Sequence, residues 1–165
     1  MADLRVPRPA RAMILFLPSA PGLPPNAPDI RPILRAGTRD RVNVELYRYQ
    51  WTEGLTDYRI DVEDGFLHDG ASVPRVFWTL VRITPSGKVS AAALVHDYIY
   101  RHKGRMPAGS FMVQKDNGDW VDVPGRIARQ RADKLFKKTM RQSGYNRVKS
   151  ASAYRAIRIS FWRNW

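Results

Sequence analysis

The chain of 165 residues has no cysteine. That excludes a disulfide framework, a cysteine nucleophile and a thiolate zinc site. It fits a reducing cytoplasm. No run of about 18 apolar residues occurs either, so no transmembrane helix is expected. Acidic residues are scarce: 15 Asp and Glu face 28 Lys and Arg, for a formal charge of +13. The excess favours anionic neighbours, whether nucleic acid, phospholipid headgroups or an acidic protein surface. Imidazole is scarce too. His68, His96 and His102 are the 3 histidines, so little else can act as a base near neutral pH. Against these shortages, 44% of the residues are hydrophobic. That is enough for one ordinary core in a chain of single-domain length.

Proline is plentiful but unevenly placed. Eight of the 12 prolines precede Ile33. Each fixes φ and removes a backbone donor, so residues 1–32 cannot form a long helix or a central strand. The sequence predicts three regions: an extended Pro-rich arm over 1–40, an α+β core over 41–146, and a basic aromatic helix or tail over 147–165. The apolar patch Ala12–Leu17 follows arginines, as in a signal peptide. It is short for that purpose, and Asp3 and two prolines precede it. A non-secretory arm is expected, its "MILFL" patch suited to packing along a neighbouring subunit.

From Arg41 the apolar period becomes two. Val42, Val44 and Leu46 alternate with Asn43, Glu45 and Tyr47; Ile60 and Val62 alternate with Asp61 and Glu63. With "TEGLT" between them, these segments read as a β-hairpin. A second hairpin is expected over "SFMVQKDNGDWVDV", turning at Asn117-Gly118. The helix signals are stronger. "SGKVSAAALVHDYIYRHKG" predicts a helix capped by Ser86 or Ser90 and ended by Gly104. "PGRIARQRADKLFKKTMRQSG" predicts another, with Ala128, Ala132, Leu135, Phe136 and Met140 as its apolar stripe and Gly144 at its end. "SASAYRAIRISFWRNW" predicts a basic third. The fold class is therefore α+β: two small antiparallel β-hairpins beside two or three packed helices, with the Pro-rich N-terminal arm extended.

The chemistry centres on His96 and Asp97. Adjacent helical residues point about 100° apart, so His96 and Asp97 cannot share one direction. Asp133 lies at the edge of the second helix's apolar stripe. Antiparallel packing would let it face His96, fix the tautomer and leave the other ring nitrogen as a general base. The same atoms could equally form a polar bond that only locks helix to helix. Asp69 reads as a pocket charge, a metal ligand or an Asx-turn. Ser72 reads as a nucleophile or as the cap of a helix near Pro74. His68 and His102 are expected in solvent. The aromatic and basic C-terminus suits phospholipid, nucleic acid or another subunit.

Three segments in order, "FLHDGASVPRVFW", "AAALVHDYIY" and "RADKLFKKTM", resemble an uncharacterised family common in bacteriophages and prophages, known as domain of unknown function 1353. The resemblance covers roughly residues 42–145. It implies a phage origin. It places the protein in a virion (tail, neck or baseplate) or in the host cytoplasm, with other virion proteins or a second copy as partners through the arm and C-terminal helix. The spacing His96-Asp97-x-x-Tyr100 with a later Asp133 is also similar to phospholipase A2 cores. That resemblance implies a hydrolase in which His96 is the base, Asp133 and Tyr100 support it, and Asp97 binds Ca²⁺. Asp69, Gly70 and Ser72 would line the pocket in place of a Gly-rich calcium loop, which this chain lacks. An anionic membrane would then be a target. A purely structural virion role and, less favoured, nucleic-acid binding are the competing expectations.

Overall fold

Trp51 stacks between its neighbours on three strands, and the sheet is organised around it. The computed structural model describes residues 30–32, 41–43, 45–68 and 89–160. Within them β3 (Tyr47–Glu53) and β4 (Thr56–Val62) form the first hairpin. Gly54, with φ 64°, supplies the positive dihedral its tight loop requires. β6 (Phe111–Gln114) and β7 (Trp120–Asp122) form the second. The two hairpins are not separate. β4 pairs antiparallel with β6, making one four-stranded sheet in the order β3-β4-β6-β7. Trp51 lies 5.5 Å from Tyr49, 5.5 Å from Tyr58 and 6.1 Å from Phe111. This aromatic ladder ties the hairpins along one face.

The first strand takes the opposite parity from its aliphatic pattern. Tyr47, Tyr49 and Trp51 are buried, whereas Leu46 is 43% exposed. Asn43 explains the reversal. It is buried, and its side-chain amide donates to the carbonyls of Glu45 at 2.5 Å and Glu63 at 3.0 Å. The chain bends at Glu45, so Arg41–Asn43 is not a continuation of β3. Ile60 and Val62 are buried as expected. β2 (Arg41–Asn43) belongs instead to a second sheet, ordered β1-β2-β5, with β1 (Ile30–Pro32) and β5 (Leu67–His68). Pro32 sits on the edge strand of that sheet, where a missing N–H is tolerated.

Three helices pack together, and the first two of them cover the large sheet. α1 (Ser90–Arg101) is buried on every face from Ser90 to Tyr100, as befits a central helix. Val89 occupies its N-cap without a side-chain cap. Ser90 is therefore the first helical residue rather than the expected cap, and Ser86 lies outside the described residues. Lys103 (φ 50°) and Gly104 (φ 74°) turn the chain away at the far end, and the Gly104 N–H donates to Ile99 at 2.9 Å.

α2 (Arg129–Gln142) buries Ala132, Leu135, Phe136 and Met140. Ala128 is its exposed, extended N-cap, not part of the stripe; the preceding Ile127 is buried instead. α3 (Arg147–Ser160) starts where the Asn146 side chain accepts the Lys149 N–H at 2.9 Å. Its Ala153, Ala156 and Ile157 pack with Phe136 and Met140 of α2. No helix of the described residues is long and apolar enough to cross a membrane.

Candidate functional site: a buried His–Asp–Tyr cluster

His96 and Tyr100 are one turn apart on α1 and face Asp133 on α2. Small residues at Ala92 and Ala132, both fully buried, let the two helices approach. His96 Nε2 lies 3.1 Å from Asp133 Oδ1, and the Tyr100 hydroxyl donates to the same oxygen at 2.6 Å. The His96 ring is held by Tyr100, 4.1 Å away between centroids, and by the edge of Phe136 at 5.3 Å. The structure thus joins the three residues proposed from sequence. His96 is 2% exposed and Asp133 0%.

The second oxygen of Asp133 meets two arginines that sequence reasoning missed. Arg158 Nη1 of α3 approaches Oδ2 at 3.2 Å, and Arg129 Nε lies 3.8 Å from it. Arg129 also donates to the Tyr100 hydroxyl at 3.2 Å, and its Nη2 donates to the Arg158 carbonyl at 2.7 Å. Arg129 precedes Asp133 by four residues, a spacing that puts both on one helical face, so a signal for it existed. Arg158 had none, because only the packing of α3 brings it there.

The other side of the imidazole meets Asp97. His96 Nδ1 lies 3.8 Å from Asp97 Oδ1, and His68 Nδ1 lies 3.8 Å from Asp97 Oδ2. Both distances exceed a hydrogen bond but are close for charges. Two expectations change here. Asp97 does not face away from His96; its carboxylate reaches back to the ring. His68 is not in solvent: it is 5% exposed and stacks on Phe66. His102 is half-buried against the edge of Tyr98. Asp69, Gly70 and Ser72 lie outside the described residues.

Opposing effects set the charges. Burial pushes the His96 pKa down, but Asp133 and Asp97 outweigh it and hold the imidazole above its ordinary 6.5. Burial pushes Asp133 up, but hydrogen bonds from His96, Tyr100 and Arg158 hold it below the ordinary 3.8. Tyr100 is raised, first by burial and then by Asp133. The cluster therefore favours an imidazolium–carboxylate pair. For Ca²⁺, which takes six to eight oxygens, the described residues do not fit. Among them no three His, Cys, Asp or Glu side chains are grouped to hold a metal, and Asp97 sits between two imidazoles.

Fold and site together define an α+β protein whose central helices are joined by a buried His–Asp–Tyr cluster. The chain belongs to the family described as protein of unknown function (DUF1353), whose model matches residues 44–157. That span holds the four-stranded sheet, α1, α2 and most of α3. No curated protein and no solved structure matches the chain.

Proposed function

We propose that the protein is a phage-encoded, virion-associated hydrolase that cleaves an ester in the cell envelope, with phospholipid as the favoured substrate class. One observation carries the reading. Asp133 Oδ1 takes both His96 Nε2 and the Tyr100 hydroxyl. A proton held on Nε2 leaves the Nδ1 lone pair as the base. Nδ1 lies on the side of Asp97 and His68, away from the Asp133 support. A water deprotonated there would attack the ester carbonyl. The proton on Nδ1 would then pass to the departing alkoxide, giving a carboxylic acid and an alcohol.

The test is fatty-acid release from anionic liposomes, with and without Ca²⁺. Release by the wild-type chain, lost in His96→Ala with an unchanged circular dichroism spectrum, is the expected result. Absence of release under both conditions overturns it. The base must be neutral, so the raised His96 pKa predicts activity that rises with pH, its midpoint above 6.5.

A second reading is favoured by a different observation. His96 is 2% exposed and has carboxylates at both ring nitrogens. Such a ring serves well as an ionic lock between α1 and α2 in a structural virion component. Mass spectrometry of purified particles would find the chain, and His96→Ala would lower stability without removing any activity.

A further inference from the structure

Beyond the C-terminus of α1 the chain builds a basic groove that the cluster does not use. Its volume is about 490 Å³, and Arg101, His102, Lys103, Arg105 and Arg126 line it. Among the described residues the lining holds no carboxylate. The backbone gathers these cations. Lys103 at φ 50° and Gly104 at φ 74° reverse the chain directly after Arg101. The Arg105 N–H then closes back on the His102 carbonyl at 2.9 Å. Arg126 arrives from a distant loop and is anchored by Nε donating to the Lys103 carbonyl at 2.6 Å. Arg101, Lys103, Arg105 and Arg126 are all exposed.

Arg101, Lys103 and Arg105 carry like charge around one groove and repel each other. The helix C-terminus offsets about half a unit charge, which leaves most of the repulsion in place. A bound anion would remove it. His102 adds a second pointer: its Nε2 is buried and has no hydrogen-bond partner among the described residues. The size falls in the range of small-molecule sites, about 300–1,000 Å³. Among the described residues no ring but His102 lines the groove, which gives nucleobases no stacking platform there. Guanidinium forks suit phosphate oxygens.

We infer that this groove binds a small anion carrying more than one phosphate group, either as a soluble polyphosphate ester or as the headgroup of an anionic lipid. The site stands independently of the hydrolase reading. It lies on the same helix as His96, six residues or about 9 Å along the axis.

The test is calorimetric titration of the full chain with sodium tripolyphosphate at about 0.15 M salt, where the Debye length is about 8 Å and diffuse attraction is screened. Saturation at one site is expected. The double variant Arg101→Gln, Arg105→Gln should bind about tenfold more weakly or worse, because each lost arginine removes charge-assisted hydrogen bonds. Arg147→Gln with Arg155→Gln, the same charge change on exposed α3 positions, should stay within about twofold. Thermal melts of both variants report folding.

Vesicles containing cardiolipin, an anionic lipid whose headgroup carries more than one phosphate, identify the source. Competition with tripolyphosphate, lost in the groove variant, assigns a lipid headgroup; tripolyphosphate binding without vesicle competition assigns a soluble phosphate. Equal weakening in both double variants would reduce the effect to net charge and overturn the site. So would a featureless titration, or tight binding of a single-stranded oligonucleotide without any of tripolyphosphate.

Discussion

Less than two turns of α1 separate two opposite treatments of positive charge. In its middle, Arg129, Arg158 and the His96 ring converge on the single buried carboxylate of Asp133. Past its end, four cations surround a groove with no carboxylate among the described residues of its lining. The difference is water. A charge removed from solvent must be paired and hydrogen-bonded, because the uncompensated cost is several kcal/mol. A charge left in solvent is screened, and clusters of like charge survive at small cost. The first arrangement constrains the fold, and the second is available for a ligand.

The largest break in this contrast should come from Asp133→Asn. It keeps the shape but removes the charge facing His96, Arg129 and Arg158. About 3–5 kcal/mol of stability should be lost, read from urea midpoints. A loss below about 1 kcal/mol would mean that the cluster behaves like the exposed groove.

A smaller effect should follow from pH, since titration removes one charge and keeps every atom. His96 has a raised folded pKa. Its contribution is fully present below about 6.5 and lost as pH rises through the raised value. Asp133 has a lowered folded pKa. Its contribution is present above the ordinary carboxylate value and lost as pH falls through the lowered one. The pair should therefore stabilise most between about pH 4 and 6.5. Subtracting the urea midpoints of Asp133→Asn from those of the wild type across pH isolates this curve. A flat difference would contradict the paired charges.

Tyr100→Phe should cost about 1–2 kcal/mol. It removes one donor from Asp133 and the acceptor of the Arg129 Nε–H, while Asp133 keeps its other partners. At the bottom of the scale, Arg105→Gln should change stability by no more than about 0.5 kcal/mol, because its side chain is exposed. A larger loss would show that the groove supports the fold.

How much of this was legible in the sequence depended on the range of the interaction. α1 and α2 were readable because their apolar period, Gly104 and Gly144 are local signals. The His96–Asp133–Tyr100 cluster was readable because one helical turn separates His96 from Tyr100, and Asp133 lies on the only other strongly patterned helix. Ser90 was misplaced as a cap by one residue, a boundary decided by backbone geometry at Val89. The hairpins were visible separately, but their union through Tyr58↔Val113 and Ile60↔Phe111 was not. Those partners are far apart in sequence, with α1 between them.

By itself the sequence determined the periodicities, the turns and the spacing of His96, Tyr100 and Asp133. These follow from local steric and hydrogen-bonding rules that act over a few residues. Tertiary structure alone decided that Asn43 turns inward and reverses the parity before β3. It also seated Arg158 on Asp133, buried His68 beside Asp97, and brought Arg126 over the end of α1. Each of these is a polar or charged group. Its position is set by which distant partner can satisfy it once water is excluded, and no local pattern encodes that choice.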